Sequence, residues 1–420
     1  MTKVEIMPRP QNRSATASGR RSLWILCLLL AFPSTGFIQK HTGIAGVAGY
    51  LAAVVAVVFL SIRLTRLCTP WLERNFHKLA LLAIAGLAVC FVVLHPFEDR
   101  RGPGKSSDRD EGLEMAVSRM AHGESPYYPS NPIAGPLSVL PGSIFLAAPF
   151  VALGNPGYQN VFWLGVFLFV ARAFSGSAAS ALWMLIIPLG VSIAAMYEFV
   201  SGGDLLANGI FVTLFLLFAL TSWSKETSPG WQRWTACVLV GIGLASRANF
   251  VLLMPLFGAA MWRIAGLRSA MAATTIATLS YLAVTLPFYL HDPAAFTPLM
   301  SRNKIASLDH SLPWASTVIL GVTVLSALLG ALWLLFRPVN ETQVAFFRIG
   351  TVVTLVPMIA TLLASSWLSG HPEFSIMRDR FGLMYVFLAL LGWAGALQWS
   401  PATIHADSVT RSSRKSILPT

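Results

Sequence analysis

Charged residues are scarce in this chain. Asp, Glu, Lys and Arg together make up 11% of the 420 residues, and hydrophobic residues make up 55%. A soluble domain carries about 25% charged residues, so this composition excludes one large soluble core. A helix needs about 20 apolar residues to cross a bilayer, and the apolar runs are too long for barrel strands. The sequence therefore predicts an all-α polytopic membrane protein.

Several common functional signatures are missing as well. The four cysteines lie in or beside apolar segments, with neither metal-ligand spacing nor paired loop positions, which argues against zinc sites and disulfides. No Walker loop, dinucleotide fingerprint or Ser-His-Asp spacing is found. The net charge of +12 does not indicate nucleic acid as a partner, because the basic residues lie in short flanks between apolar runs, as topology signals do.

The apolar runs predict about 11–13 membrane-spanning helices. The candidate spans are 22–38, 43–62, 78–95, 138–154, 158–172, 179–200, 204–222, 234–247, 249–265, 269–290, 314–336, 345–368 and 379–398. They divide the chain into a basic tail (1–21), three spans (22–95), a polar loop (96–137), a helical core (138–398) and a polar C-terminal tail (399–420).

Basic flanks predict the orientation. Residues 1–21 carry five Lys or Arg and one Glu, and residues 63–78 carry four Lys or Arg and one Glu. Loops rich in Lys and Arg stay in the cytoplasm, and no cleavage signal follows the tail. Three spans then place the loop 96–137 on the extracytoplasmic side. The C-terminal tail is also basic, which favours the cytoplasm. An odd number of spans, such as the 13 candidates, cannot place both termini inside, so the side of the C-terminus stays open.

The polar loop 96–137 holds 7 of the 18 acidic residues of the chain. Asp108 and Glu111 have the spacing of a capping box, which predicts a helix from there to about His122. Its apolar stripe predicts a helix lying along the membrane surface. Asp110 precedes Leu113 by one turn on that stripe, so its carboxylate is expected at the membrane boundary. Acidic residues in a first helical turn also simply favour the helix dipole.

A proline-rich segment follows this helix. It contains Gly123-x-x-Pro-Tyr127 and then Pro136-Leu-Ser-x-Leu-Pro-Gly142, which leads into the next span. Because proline fixes φ and breaks helices, these residues predict an ordered, extended return to the membrane.

The order of these pieces, closing with Phe150-Val-Ala-Leu-Gly154, resembles the C-type glycosyltransferase superfamily over about residues 95–225. The likeness is nearest to its bacterial mannosyltransferase and aminoarabinose-transferase branches. The resemblance implies a polytopic helical fold with a juxtamembrane helix in the first large outside loop. It also implies a catalytic acidic residue in that loop, which falls on Asp110 with Glu111 second, and a substrate-binding role for Tyr127. The chain differs from the usual pattern in having three predicted spans before this loop.

Four further segments have two interpretations each. Asp204 follows two glycines at the start of a span, where it is either an N-cap or a functional group at membrane depth; in relatives, a similar Asp helps to bind a divalent metal (Mg²⁺ or Mn²⁺) or the acceptor. Arg302 and Lys304 are either phosphate-binding cations or part of a solvated loop. Arg380, followed by Phe381, matches a basic-aromatic pair of the superfamily or is an interfacial anchor. Arg247 is either functional or the mark of a short loop.

The resemblance thus implies an inverting glycosyltransferase in the inner membrane of a bacterium, with a cytoplasmic N-terminus. Its partners would be a polyprenyl-phosphate-linked sugar donor, a lipid or glycan acceptor and the surrounding membrane lipids. The alternative is a transporter or flippase of a lipid-linked substrate. Transporters place ionisable groups near the bilayer midplane on broken helices, whereas here the charges are concentrated between the apolar runs.

Overall fold

Helices make up most of the described part of this protein. The computed structural model describes residues 15–99, 107–128, 136–300 and 305–393, together with residue 395. The protein is 84% helical and has no strand in its described part, which confirms the all-α prediction. Its α-helices in chain order are α1 (Ala15–Ala31), α2 (Thr35–Arg74), α3 (Phe76–Asp99), α4 (Arg109–Ala121), α5 (Pro141–Ala152), α6 (Tyr158–Ser175), α7 (Ala178–Val191), α8 (Ile193–Val200), α9 (Leu205–Ser224), α10 (Gly230–Leu244), α11 (Leu253–His291), α12 (Ala315–Leu335), α13 (Val339–Ser369) and α14 (Leu383–Trp393).

Fewer helices than predicted have the length and apolarity of a membrane span. Within the described residues there are 6, or 7 if α7 and α8, which meet at 91°, form one broken span. The prediction of 11–13 is higher because some predicted spans are short helices, such as α5 and α14. Neighbouring predicted spans also continue into each other across a kink, so that two of them count as one span. Gly43 and Gly266 lie outside helical φ/ψ within α2 and α11, at the two places where the sequence predicts a boundary.

The centre of the bundle is built from α9 and α14. Both helices are apolar on all sides and almost entirely buried, as expected for a helix surrounded by other helices. They pack closely because Gly209 has no side chain: a Cβ there would lie 2.9 Å from the backbone oxygen of Leu383. Small residues permit such close contacts between membrane helices. This packing places the first residues of α14 beside the first turns of α9.

Apolar side chains cover the outside of α2, α3 and α12. Few residues in the apolar stretches of these helices are buried, and Leu67, Leu81 and Leu329 are exposed. Exposed leucine at this density is expected on a lipid-facing surface, since lipid chains are as apolar as leucine. These helices therefore form the periphery of a membrane-embedded bundle.

The helix predicted in the polar loop is present as α4. Its apolar stripe, however, packs on protein, because Leu113 and Ala116 are fully buried in a second apolar cluster. The other buried members of this cluster are Tyr127, Leu137, Val139, Leu140, Ile144, Ala147 and Phe296. The prediction of a stripe facing the lipid surface is thus wrong, since the proline-rich segment and α5 provide an apolar partner for it.

Candidate functional site

Four carboxylates and three guanidinium groups meet at one end of the bundle. They come from six segments: the end of α3, the start of α4, helix α8, the loop between α8 and α9, the turn after α10, and the residues before α14. We call this set the charged cluster; its acidic members are Glu98, Asp110, Glu198 and Asp204, and its basic members are Arg109, Arg247 and Arg380. All four acidic residues are buried. Burying a charge is costly unless it is paired, and ion pairs with arginine meet that requirement for Asp204 and Glu198.

Asp204 is held by two arginines. Arg247 Nε donates to its Oδ2 at 3.0 Å, and Arg247 Nη2 donates to its Oδ1 at 2.5 Å. Arg109 Nη1 lies 3.4 Å from Oδ1, and the Asn208 amide donates to Oδ2 at 2.5 Å. Burial alone raises the pKa of Asp204, but the two arginines outweigh it and hold that pKa below its ordinary value. Asp204 is therefore an anion at neutral pH.

These contacts decide between the interpretations of Asp204. It occupies the N-cap position of α9 but makes no side-chain cap hydrogen bond. Its oxygens accept hydrogen bonds from guanidinium and amide groups, which repel a cation rather than help to bind one. The described residues contain no group of three or more His, Cys, Asp or Glu that could hold a metal ion. The predicted Mg²⁺ or Mn²⁺ site does not fit this arrangement, and Asp204 serves as an ion-pair acceptor.

The proline-rich segment positions Arg247. Ser138 accepts a hydrogen bond from Arg247 Nη1 at 2.9 Å. The backbone N–H of Leu140 donates to Ser246, and that of Gly142 donates to Ala245. A Cβ on Gly142 would lie 2.3 Å from a backbone oxygen of α10, so this approach requires glycine. The described end of the segment is thus the ordered, extended return that the prolines predict, and it fixes the turn that carries Arg247.

Glu198 and Arg380 form the second buried pair. Arg380 Nη1 lies 2.8 Å from Glu198 Oε2, and Glu198 has no exposed surface. The same guanidinium donates to the hydroxyls of Ser201 and Ser107 and lies over the ring of Tyr197. Arg380 has φ +63, which is rare for a residue other than glycine and is found at functional sites more often than elsewhere. The structure thus places Arg380 in the cluster rather than at the lipid interface.

Glu198 and Glu98 extend the cluster through the backbone. Glu198 Oε1 accepts the N–H of Leu205 at 2.8 Å, so it caps α9 from the preceding helix. Glu98 Oε1 accepts from the Tyr197 hydroxyl at 2.8 Å and from the N–H of Ser107 at 3.2 Å. Glu98 therefore joins the end of α3 to α8 and to the residues before α4, and Glu198 joins α8 to the start of α9.

Asp110 is buried against the loop before α9. Its Oδ2 lies 3.6 Å from His95 Nε2. Gly202 faces it so closely that a Cβ there would lie 3.3 Å from both its Cβ and its Oδ2. Gly202 also has φ +69, a conformation that glycine adopts without strain. Asp110 is thus buried against protein, with Gly202 beside it, and its place at the lipid boundary stays a prediction.

Other predicted site residues have different surroundings. Asp108 is at the N-cap position of α4 but makes no side-chain cap hydrogen bond, so the predicted capping box does not form. Glu111 is half-buried, and its Oε2 makes no hydrogen bond within the described residues. The Tyr127 hydroxyl donates to the oxygen of Val139 at 3.2 Å, and burial raises its pKa above the ordinary range. Tyr127 is thus a packed member of the second apolar cluster.

Two predicted residues, Arg302 and Lys304, lie outside the described residues. The structure adds others that the sequence did not single out, notably His95 and Arg109. Arg109 is next to Asp110 in a loop of mixed charge, where the sequence indicated a role for Asp110 but none for Arg109. His95 ends a predicted span, where a polar residue is also common at an interface. Their roles follow only from contacts with distant segments.

Comparisons with known protein families, curated proteins and solved structures find no match to this chain. Its chemistry is therefore inferred from the cluster. A carboxylate held in place, beside cations that are themselves held in place, can accept a proton and stabilise a developing anion. Proton acceptance together with anion stabilisation suits a reaction in which a hydroxyl attacks and an anionic group leaves.

Proposed function

We propose that the protein is an inverting glycosyltransferase that moves a sugar from a polyprenyl-phosphate donor to an acceptor hydroxyl on a lipid or glycan. One observation carries the proposal: Asp110, Asp204 and Arg380, which the sequence singles out in three separate segments, belong to one charged cluster. Asp110 is next to Gly202, Arg109 links α4 to Asp204, and Arg380 contacts Ser107 and Ser201. The resemblance to the C-type glycosyltransferases supplies the reaction.

Asp110 is the proposed base. It takes the proton from the acceptor hydroxyl as the oxygen attacks the anomeric carbon and the bond from that carbon to the phosphate oxygen breaks. Direct attack from the face opposite the leaving group inverts the configuration. The lipid phosphate leaves with the electron pair of the broken bond.

Among the described residues, Arg109 is the one proposed to bind the phosphate of the leaving group. Its side chain is 17% exposed, against 5% for Arg247, and its guanidinium carbon lies 6.0 Å from the centre of the Phe381 ring. Arginine binds phosphate with directed charge-assisted hydrogen bonds. Arg380 lies beside α4 and is proposed to help bind the phosphate. Arg302 and Lys304 stay proposals for the same role.

The membrane places donor and acceptor together. The basic flanks described above favour the extracytoplasmic face for the loop 96–137 and therefore for the cluster. A bacterial inner membrane with a cytoplasmic N-terminus is the proposed location. A lipid-linked donor can then reach the cluster from the bilayer.

The test is sugar transfer by the purified protein in liposomes. Wild-type protein is given radiolabelled polyprenyl-phosphate hexoses and pentoses, or the corresponding nucleotide sugars, with a bacterial lipid and glycan extract as acceptor. Labelled product is expected from a polyprenyl-phosphate donor and not from the nucleotide sugars, with the opposite anomeric configuration by NMR. Transfer from nucleotide sugars alone, or retention of configuration, would contradict the proposal.

A transporter or flippase is the second candidate, supported by one observation. Helices α7 and α8 meet at 91°, and broken helices of this kind carry the binding sites of many transporters. Movement of a fluorescent polyprenyl-phosphate sugar between leaflets, without any transfer product, would favour this candidate over the enzyme.

A further inference from the structure

His95 lies beside the proposed base in a fixed orientation. Its Nδ1 is 3.1 Å from the backbone oxygen of Val200, and its Nε2 is 2.9 Å from Nδ2 of Asn155. The ring stacks on Phe91, with centroids 4.8 Å apart. Because Val200 precedes Gly202 by two residues, the loop that covers Asp110 also holds the imidazole.

These contacts determine the tautomer of His95. A carbonyl oxygen only accepts, so Nδ1 carries the proton. The Asn155 Oδ1 accepts the N–H of Gly157 at 2.7 Å, so Asn155 turns its amide nitrogen toward the ring and donates to Nε2. The same nitrogen, Nε2, lies 3.6 Å from Asp110 Oδ2.

We infer that His95 receives the acceptor's proton from Asp110 after each transfer. It acts on the reaction only through Asp110, as a positioning residue, and the inference rests on the proposed glycosyltransferase function. In this step the Asp110 O–H bond breaks, an Nε2–H bond forms, and Asn155 gives up its hydrogen bond to the ring. The products are a carboxylate and an imidazolium held as an ion pair.

The surroundings suit a proton that arrives and leaves in every turnover. The side chain of His95 is 13% exposed, against 9% for Asp110, so the imidazolium has the better access to water. Asp110 faces the ring from α4, the turn before α6 presents the neutral Asn155, and α8 presents the Val200 carbonyl. Glu98 lies one turn further along α3, where Tyr197 and Ser107 hold it.

Two variants test the step by steady-state transfer rates over a range of pH. His95→Gln keeps a polar group near Nε2 but cannot take up a proton, so we expect kcat to fall about 10²-fold with KM unchanged. The acid limb of the wild-type profile, where imidazolium forms before turnover, should disappear. Asn155→Asp keeps a side-chain oxygen that accepts the N–H of Gly157 but places a carboxylate oxygen next to His95 Nε2. This favours the imidazolium and should move the acid limb to higher pH.

The outcomes separate the inference from the function on which it rests. If wild-type protein transfers sugar and His95→Gln has the wild-type kcat and pH profile, the relay is wrong and the glycosyltransferase stands. If wild-type protein transfers no sugar from any polyprenyl-phosphate donor, the function itself fails. Should His95→Gln unfold, as shown by thermal unfolding in detergent, the Asn155→Asp profile decides: an acid limb at the wild-type position overturns the relay.

Discussion

Arg247 donates hydrogen bonds to both carboxylate oxygens of Asp204, 43 residues earlier in the chain. The two side chains are 5% and 1% exposed. Arg247 also donates to Ser138, so this ion pair ties the start of α9 to the proline-rich segment before α5. The pair therefore holds together two of the segments that form the charged cluster.

Breaking this pair should destabilise the protein. Arg247→Ala leaves the Asp204 carboxylate buried with fewer donors, and removing one partner of a buried ion pair costs about 3–5 kcal/mol. The free energy of unfolding in detergent, from denaturant titration, measures the loss. Glu124→Gln is the control, because Glu124 pairs with Arg119 at 3.1 Å on the surface, where such a pair contributes about 0–1 kcal/mol. Equal losses in the two variants would mean that the buried pair has no special role.

The contribution of Asp204 should depend on pH in one direction. Its pKa is lower in the folded protein than its ordinary value, so the unfolded chain binds the proton more tightly. The stabilisation is then complete above about pH 4, the ordinary range of Asp, and is lost as pH falls through the folded pKa. The melting temperatures of wild type and Asp204→Asn should differ at pH 7 and converge in acid. A difference that grows in acid would contradict this sign.

The sequence predicts local features of this molecule better than distant contacts. It predicts α4 from an acidic start and an apolar stripe, and the breaks near Gly43 and Gly266 from polar interruptions. Both signals are local, because helix ends and periodicity depend on neighbouring residues. It does not predict that the stripe of α4 packs on protein, since an apolar stripe can pack equally well on lipid or on protein.

The charged cluster shows the same limit. The resemblance to the C-type glycosyltransferases singles out Asp110 and Arg380, and its charge at the start of a span singles out Asp204, but their partners lie in other segments. Arg380 meets Ser201, 179 residues away, and nothing near either residue indicates that contact. His95 had no local signal beyond its position at a predicted span end. Such pairings depend on how the helices pack.

Gly202 should be required for activity beyond its effect on stability. In Gly202→Ala, the new Cβ would approach Asp110 to 3.3 Å and the positive φ would be strained, at about 1–2 kcal/mol. Gly123→Ala is the matched control, because its φ is +76 and nothing lies within 4 Å of its Cβ position. Both variants should lose similar stability in thermal unfolding, while only Gly202→Ala loses sugar transfer. Equal transfer by the two would mean that the contact with Asp110 does not matter.

The proposed orientation can be tested with thiol labelling. Cys68 is exposed, while Cys27 and Cys237 are buried. Since the basic flank 63–78 is expected in the cytoplasm, a membrane-impermeant maleimide should label Cys68 only after the cells are permeabilised. In a Cys68→Ala background, Glu124→Cys should be labelled in intact cells. Labelling of Cys68 from outside would invert the topology.

The most direct test of the account is the transfer rate of Asp110→Asn in liposomes with the polyprenyl-phosphate donor that wild-type protein uses. The amide keeps the size of the side chain but cannot act as a base, so transfer should fall about 10²–10⁴-fold. Glu114→Gln, an exposed position on the same helix, should transfer at the wild-type rate. Asp110→Asn with wild-type transfer, and with wild-type expression and unfolding temperature, would contradict the assignment of Asp110 as the base.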